Sequence, residues 1–247
     1  MKTYLVTGCN RGVGLALAAK LVSICDPTEG DLVFACSRRL SDDLQEVLKN
    51  PCAKHIELEI TSDESVDNAF REVENLVGEN GLNLLVNNAG IVTRVDTPSN
   101  MTTEDLMHNI NVNVIGTHRV TQKFAPLLEK AASKNDQEEV GWNRALCFNI
   151  SSDLASIQDI KFGTFFPSYR VSKAALNMLV RCTAVEMIEK NVLFVSAHPG
   201  WVQTDMGGPD APIPVSQCAD DMMGIIQKVG KGHSGLFLQK DAELMNF

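Results

Sequence analysis

The sequence predicts an α/β fold in which a doubly wound, seven-stranded parallel sheet has helices on both faces. Two observations support this prediction: short, almost continuously apolar runs recur along the chain, and stretches with helical spacing separate them. Strands that are apolar on both sides are typical of a parallel sheet covered by helices on both faces. The predicted strands are residues 3–8, 31–37, 54–60, 82–90, 144–152, 192–200 and 235–239.

Stretches with helical periodicity fill the intervals between these strands. The spacing is clearest over residues 63–77, where apolar side chains recur every three or four positions. Thr61 and Glu64 lie in front of that apolar face and form a candidate capping box. No repeat or low-complexity linker divides the chain, which favours a single domain. The predicted helices are residues 12–23, 63–77, 103–109, 112–132, 169–190 and 216–228.

The composition is typical of a globular protein with a sizeable core, since 44% of the 247 residues are hydrophobic and 21% are charged. The net charge of −9 at pH 7 argues against a nucleic-acid-binding surface. Seven cysteines, an odd number without a C-x-x-C pair, favour reduced thiols in a cytoplasmic protein. The five histidines lack metal-ligand spacing, so no metal is expected.

The apolar stretches are too short for a membrane span, which needs roughly 18 or more residues. The segment GVGLALAAKLVSIC, residues 12–25, has the composition of a signal-peptide core. Lys20 interrupts it and a glycine-rich turn precedes it, so an amphipathic helix is the better interpretation. We therefore expect neither a membrane span nor a targeting segment.

The first predicted strand ends in a glycine-rich turn, TGCNRGVG, over residues 7–14. Gly8, Gly12 and Gly14 lead directly into a predicted helix. Glycines allow a tight turn and a close approach to a pyrophosphate, whose charge the helix N-terminus stabilises. The strand before and the helix after turn a weak motif into a prediction of nucleotide binding. The alternative is a tight turn that binds no ligand.

The end of the second predicted strand indicates which nucleotide binds. An NAD site favours an acidic residue there, whereas this chain has Ser37, Arg38 and Arg39, with Arg11 in the glycine turn. An arginine fork suits the 2′-phosphate of NADP. The sequence therefore favours NADP(H) over NAD(H). Arginines exposed to solvent without a ligand are the alternative, for Arg39 in particular.

Polar and structure-breaking residues also end the fourth, fifth and sixth predicted strands. These ends are NNAG at 87–90, the serine pair at 151–152 and HPGWVQT at 198–204. The two adjacent asparagine amides need hydrogen-bond partners, either on neighbouring strands or in a ligand cleft. Ligands of doubly wound sheets bind beyond the carboxyl ends of the strands, where all of these residues are expected.

One of only two tyrosines in the chain begins a predicted helix, in YRVSKAALN at 169–177. Tyr169 precedes Lys173 by one turn, and side chains at this spacing lie roughly 5–6 Å apart at Cβ. One hypothesis is a proton-donating phenol whose pKa the lysine controls. The alternative is a helix-surface tyrosine that a lysine follows by chance.

Taken together, six segments resemble the short-chain dehydrogenase/reductase superfamily in its compact branch, over essentially the whole chain. They are TGCNRGVG, NNAG, INVNVIG (110–116), NISS, YRVSK and HPGWVQT, in that order. The glycine turn and the YRVSKAALN helix look closest to the sniffer and C-factor-like carbonyl reductases. The resemblance implies a single NAD(P)-binding Rossmann domain over residues 1–247 that includes the catalytic site.

The resemblance also implies four catalytic roles. Tyr169 would donate a proton to the substrate carbonyl oxygen as hydride arrives from the nicotinamide. Lys173, with the oxidised nicotinamide, would lower the pKa of that phenol and would bind the nicotinamide ribose. Ser152 would orient the carbonyl and stabilise the charge that develops on its oxygen. Asn113 would hold a water that links the lysine to solvent.

A larger set of residues is implied to contact the cofactor. The glycine turn would bind the pyrophosphate, NNAG the adenosine ribose, Glu59 and Ile60 the adenine, and the HPG turn with Val202 and Thr204 the nicotinamide. The implied cofactor residues are Gly8, Asn10, Arg11, Gly12, Val13, Gly14, Ser37, Arg38, Glu59, Ile60, Asn88, Ala89, Gly90, Tyr169, Lys173, Pro199, Gly200, Val202 and Thr204.

The chain departs from the family pattern in three places. Glu59 stands where the family usually has an aspartate, and Ala155 follows Ser152 where a glycine is common. The segment before Tyr169 is also longer than in many members. Its aromatic residues either shape the substrate pocket or pack in the core; they are Phe162, Phe165 and Phe166.

The expected function is that of an NADP(H)-dependent oxidoreductase that reduces the carbonyl group of a small, partly apolar substrate. The alternatives are a catalytically silent dinucleotide-binding sensor of the same fold, and an enzyme acting on nucleotide sugars. A homodimer or homotetramer is expected by analogy, paired through the helices at 112–132 and 168–190. No nucleic-acid or membrane partner is expected.

Overall fold

The computed structural model describes residues 1–94, 97–134, 139–160 and 165–247. Its strands form one sheet in the order β3-β2-β1-β4-β5-β6-β7-β8, parallel throughout except for the last pair. This confirms the predicted doubly wound fold. The strands are β1 Thr3–Thr7, β2 Leu32–Ser37, β3 Ala53–Glu57, β4 Leu84–Asn87, β5 Leu146–Ile150, β6 Leu193–Ala197, β7 Phe237–Gln239 and β8 Glu243–Leu244.

Helices connect consecutive parallel strands. One of them, α2, lies where the sequence predicted no helix, and a π-helical segment, Asn111–Gly116, joins α4 to α5. The helices are α1 Gly12–Ile24, α2 Asp42–Val47, α3 Asp63–Val77, α4 Thr103–Ile110, α5 Thr117–Lys134, α6 Pro167–Met187 and α7 Val215–Lys228.

Two predictions of local structure need correction. The described sheet has eight strands instead of seven, because Glu243 and Leu244 add a two-residue antiparallel strand, too short for any periodicity to reveal. The cap of α3 is Ser62, whose hydroxyl accepts a hydrogen bond from the amide of Ser65 at 3.2 Å. The predicted cap, Thr61, instead donates its hydroxyl hydrogen to a carboxylate of the preceding loop.

The sheet separates two hydrophobic cores. Tyr4 and Val6 of β1 face α1 and α7, while Leu5 between them faces α3, α5 and α6. Because both faces are covered, consecutive residues of the central strands are all buried, which explains the unbroken apolar runs in the sequence. Burial on both faces holds the carboxyl ends of the four central strands, β1, β4, β5 and β6, side by side.

Within the described ranges, no helix combines the length and the apolar character that crossing a membrane requires.

Candidate active site

Helix α6 presents the tyrosine and the lysine on one buried face. Pro167 occupies the first turn, where its missing N–H costs no hydrogen bond. Phe166, just before it, has a left-handed backbone at φ 59° and begins the helix abruptly. Tyr169 and Lys173 are 9% and 4% exposed, and Nζ lies 5.8 Å from the centre of the phenol ring. The pair is therefore held in a fixed relationship by helix geometry and burial.

Burial sets the protonation of both groups. Removal from water lowers the pKa of Lys173 to about 8. Burial also raises the pKa of Tyr169 to about 12, while its hydrogen bond with Ser152 opposes that rise and the Asp153 carboxylate adds to it. Within the protein alone, burial thus prevails over any lowering of the pKa of Tyr169 by Lys173.

Ser152 lies just beyond β5, at the start of a short 3-10 turn formed by residues 153–155. Its Oγ accepts a hydrogen bond from the amide of Leu154 and donates one to Oδ1 of Asp153, both at 3.2 Å. The amide of Asp153 in turn donates to Nδ1 of His198 at 3.0 Å. Sequence reasoning missed both Asp153 and His198 as neighbours of the serine.

Asn113 lies in the π-helical segment and is completely buried. Its Nδ2 donates to the carbonyl of Ile91 and to Oγ of Ser172, both at 2.9 Å, and its Oδ1 accepts from the amide of Ile91 at 2.8 Å. Both amide hydrogens are thus in use. A water bound here would need the remaining lone pair of Oδ1 or the main chain.

The glycine turn joins β1 to α1. Gly8 and Gly12 have positive φ angles of 74° and 58°, which other residues rarely adopt. Arg11, at the N-cap, makes no side-chain capping bond, and the first turn contains no acidic residue. The N–H groups of that turn are consequently available to an anion. This exposed helix start fits the pyrophosphate of a dinucleotide.

The NNAG segment ties the end of β4 to the end of β1. Nδ2 of Asn88 donates to the carbonyl of Thr7 at 2.8 Å, and the amides of Asn88 and Ala89 donate to Oγ1 of Thr7 at 3.0 Å. Asn87 instead bonds Oγ1 of Thr121 and Oδ1 of Asn149, both at 2.9 Å. The two asparagine amides therefore connect strands and helices of the fold. Gly90, at the end of the same segment, lies next to Asn113.

The arginine at the end of β2 faces a glutamate. Nη1 of Arg38 lies 3.3 Å from Oε2 of Glu59, and the arginine side chain is 75% exposed. Burial by itself raises the pKa of Glu59, but hydrogen bonds from Thr61 and the contact with Arg38 outweigh it and lower that pKa. Ser37 is buried and donates to the carbonyl of Arg39 at 2.8 Å. Arg38 thus offers an accessible guanidinium.

The two residues predicted to contact the adenine, just after β3, differ in how much of their side chains a ligand can reach. Glu59 lies next to Arg38, as just described, but the side chain of Ile60 is only 5% exposed and belongs to the core beneath α3 and α5. Its atoms lie 3.0 Å from the position that a Cβ atom of Gly116 would take. Ile60 can therefore offer an adenine little beyond its main chain.

The segment after β6 reaches back to the glycine turn. Gly200 has a φ of 84°, and Val202 is buried and pairs with Ile213. Cγ2 of Thr204 lies 3.3 Å from the position that a Cβ atom of Gly12 would take. The tertiary structure therefore brings Thr204, predicted near the nicotinamide, against the glycine turn.

Residues 2–212 match the family model of the short chain dehydrogenases. The chain belongs to this family. Tyr169, Lys173 and the glycine turn all lie within the matched residues.

Solved carbonyl reductases have the same fold along the whole chain. The carbonyl reductase Sniffer of D. melanogaster is 32% identical, with a TM-score of 0.94 and full coverage of both chains. An NADPH-bound carbonyl reductase from chicken fatty liver is 36% identical, with a TM-score of 0.90, and covers 100% of this chain and 99% of its own.

A relative identified by its sequence also matches most of this chain. An uncharacterised oxidoreductase of Schizosaccharomyces pombe is 33% identical over 231 residues, which cover 92% of this chain and 84% of the relative. Oxidoreductase membership and the resemblance to the sniffer carbonyl reductases are thereby confirmed.

The aromatic residues before Tyr169 are placed only in part. Phe162 lies outside the described residues. Phe165 is 49% exposed, and its ring lies 5.9 Å from that of Phe166 at a steep angle. The guanidinium of Arg170 lies over the Phe165 ring, and that of Arg94 over the Phe166 ring. Half-exposure places Phe165 at the surface and not in the core.

Among the residues that the structure describes, no three His, Cys, Asp or Glu side chains gather into a metal site.

Proposed function

We propose that this short chain dehydrogenase is an NADP(H)-dependent carbonyl reductase that reduces the carbonyl group of a small, partly apolar substrate. The observation behind the proposal is the hydrogen bond between Ser152 and the buried Tyr169, one helical turn before the buried Lys173, at the sheet end that also bears the glycine turn. These are the groups that a carbonyl reduction needs to orient an oxygen and to protonate it.

When bound, NADPH supplies the hydride. The hydroxyl of Ser152 turns toward the carbonyl oxygen of the substrate and stabilises its developing negative charge. Tyr169 transfers its phenolic proton to the same oxygen, which completes the alcohol. The Lys173 ammonium stabilises the phenolate that remains, and burial of the pair excludes water from both groups. Asn113 holds α6 against the segment after β4 through Ser172 and Ile91.

The cofactor preference in this proposal depends on Arg38 and Arg11. Both side chains are well exposed, Arg11 at 70% and Arg38 at 75%. Among the described residues each contacts one carboxylate, Asp205 for Arg11 and Glu59 for Arg38. A guanidinium binds a phosphate through paired hydrogen bonds. The NADPH-bound chicken relative supports the same choice.

Self-association through α6 is part of the proposal. Val171, Met178 and Val185 recur at seven-residue intervals along this helix and are 47%, 65% and 68% exposed. An exposed apolar stripe of this kind is unfavourable in water, and packing against the same stripe of a second copy would bury it. We expect a homodimer or homotetramer paired through α5 and α6, in the cytoplasm, where seven free cysteines stay reduced.

The test is a panel of aldehydes, ketones, quinones and dicarbonyls, with NADPH and NADH consumption followed by absorbance. We expect NADPH-dependent turnover that Tyr169→Phe lowers by about a hundredfold or more, while NADPH still binds. NADPH binding without turnover of any compound would favour the silent sensor. Turnover that Tyr169→Phe leaves unchanged would contradict the assigned proton donor.

A further inference from the structure

An aspartate stands immediately beside the catalytic serine. Oδ1 of Asp153 lies 3.2 Å from Oγ of Ser152, and the amide of Asp153 is held by Nδ1 of His198 at 3.0 Å. The histidine is itself bonded through its amide to the carbonyl of Leu238 on β7. The main chain of Asp153 is therefore anchored to the sheet, and its carboxylate, 55% exposed, lies against Ser152.

No described cation neutralises this carboxylate. Among the described residues, its only ion-pair neighbour is His198, at 3.7 Å, and burial lowers the pKa of that histidine despite the opposing effect of Asp153. His198 is consequently neutral near pH 7. Arg170 donates to the main-chain carbonyls of Phe165 at 2.9 Å and of Leu154, next to Asp153, at 3.5 Å. Arg94 donates to a main-chain carbonyl at 2.8 Å, and each guanidinium lies over an aromatic ring.

The serine hydroxyl has a single hydrogen, which in this structure it donates to Asp153, so in its hydrogen bond with Tyr169 the protonated phenol is the donor and Oγ of Ser152 the acceptor. To bind a substrate carbonyl, Ser152 must turn that hydrogen toward the substrate. Oδ1 of Asp153 then loses its hydrogen-bond donor. A substrate with a hydroxyl or amide N–H next to its carbonyl can fill that acceptor. A substrate with a carboxylate there instead places a second negative charge within several ångströms of the first.

We propose that Asp153 is a specificity-determining residue, which selects carbonyl substrates with a neutral donor or a cation next to the carbonyl and rejects 2-oxo acids. The inference rests on the proposed carbonyl reductase function and names the substrate class of the same site. Because the substrate selection is assigned to the carboxylate of Asp153, the isosteric substitution Asp153→Asn tests the inference directly.

The experiment compares phenylglyoxylamide with phenylglyoxylate, which differ in charge but hardly in shape, as substrates with NADPH. Wild-type protein should reduce the amide with the higher kcat/KM. In Asp153→Asn the ratio of the two kcat/KM values should fall by about fivefold or more, because one of the two repelling charges is gone. Asp153→Lys, as a second variant, should lower the ratio further.

Asp159→Asn is the matched control. Asp159 lies in the same loop, accepts hydrogen bonds from Ser156 and Asn246 at 3.2 Å and 3.3 Å, and should leave the ratio unchanged. An unchanged ratio in both Asp153 variants, with secondary structure retained, would overturn the proposal, and so would an equal change in Asp159→Asn.

Calorimetric binding of the same two compounds to the NADP⁺-loaded protein separates this inference from the proposed function. If Asp153→Asn raises the affinity for phenylglyoxylate relative to the amide, the selection by Asp153 is supported even if no turnover is seen. Absence of turnover with every carbonyl compound would contradict the reductase function alone. An unchanged affinity ratio would contradict the role of Asp153 alone.

Discussion

The ammonium of Lys173 donates a 2.7 Å hydrogen bond to the main-chain carbonyl of Ile150, the last residue of β5. This contact joins the helix that bears Tyr169 to the strand that ends next to Ser152. A buried ammonium with a main-chain acceptor stays in place at the cost of desolvation, which is why its pKa falls.

That desolvation predicts how stability depends on pH. The pKa of Lys173 falls from 10.5 to about 8 on folding. Below about pH 8 the lysine is protonated in the folded and the unfolded protein, so the folded protein bears the whole cost of a buried charge. Between the two pKa values the folded protein releases this proton while the unfolded chain still holds it, so stability rises with pH. The rise amounts to at most about 3 kcal/mol.

Urea unfolding of the wild type and of Lys173→Met between about pH 7 and pH 10 measures this rise, with the variant as the reference that lacks the group. The wild type should gain stability relative to Lys173→Met as the pH increases. Ionisation of Tyr169 in the unfolded state lowers the stability of both proteins above about pH 10, because burial holds its folded-state pKa at about 12, and so it cancels in their difference. A constant difference across the range would show that the lysine keeps its ordinary pKa.

Ser152→Ala tests the proposed stabilisation of the carbonyl oxygen. Loss of one hydrogen-bond donor to developing charge should lower kcat by about a hundredfold or more, with little change in NADPH affinity. Single-turnover kinetics of NADPH oxidation, together with a fluorescence titration of NADPH, measure the two quantities. A comparable loss of NADPH affinity would assign Ser152 to cofactor binding instead.

Arg38→Ala tests the 2′-phosphate contact, with Arg39→Ala as its neighbouring exposed control. The loss of a charge-assisted pair should raise the Kd for NADPH by about tenfold or more and leave the Kd for NADH almost unchanged. Arg39→Ala should leave both values near those of the wild type. Equal weakening of NADPH and NADH by Arg38→Ala would refute the assignment.

Gly14→Ala tests how closely the glycine turn is packed. A Cβ atom there would lie 2.4 Å from both the carbonyl oxygen of Gly8 and Nδ2 of Asn88. Overpacking against backbone should destabilise the protein by about 1–3 kcal/mol and weaken NADPH binding. Gly224→Ala, in α7 with no atom near the new methyl group, should instead stabilise it by up to about 1 kcal/mol. Chemical denaturation of both variants makes the comparison, and equal effects would contradict it.

The motifs that could be predicted from the sequence are those whose residues lie close together along the chain. The glycine turn and the pair Tyr169 and Lys173 follow from spacing within one or two turns of chain, and the structure brings each to the carboxyl ends of the central strands. By contrast, α2 was missed because it is only six residues long. The cap of α3 was placed one residue early because Thr61 and Ser62 are chemically alike, and only the hydrogen bonds of the folded chain distinguish them.

Contacts between distant segments were beyond prediction from one sequence. Arg38 was assigned to a phosphate and Glu59 to an adenine, yet they are 21 positions apart in the sequence and face each other. Asp153 and His198, 45 positions apart, meet because β5 and β6 are neighbours in register. No periodicity encodes such pairs, since they depend on strand order.

The sequence by itself determined the fold class and the family, and it predicts which groups transfer a proton and which bind phosphate. Those conclusions rest on local hydrophobic spacing and on motifs that span a few residues. Only the tertiary structure decided that Lys173 bonds Ile150 and that Asp153 stands beside Ser152. The physical reason is that strand pairing and burial, which set distances and local dielectric, arise from the whole sheet and its two cores.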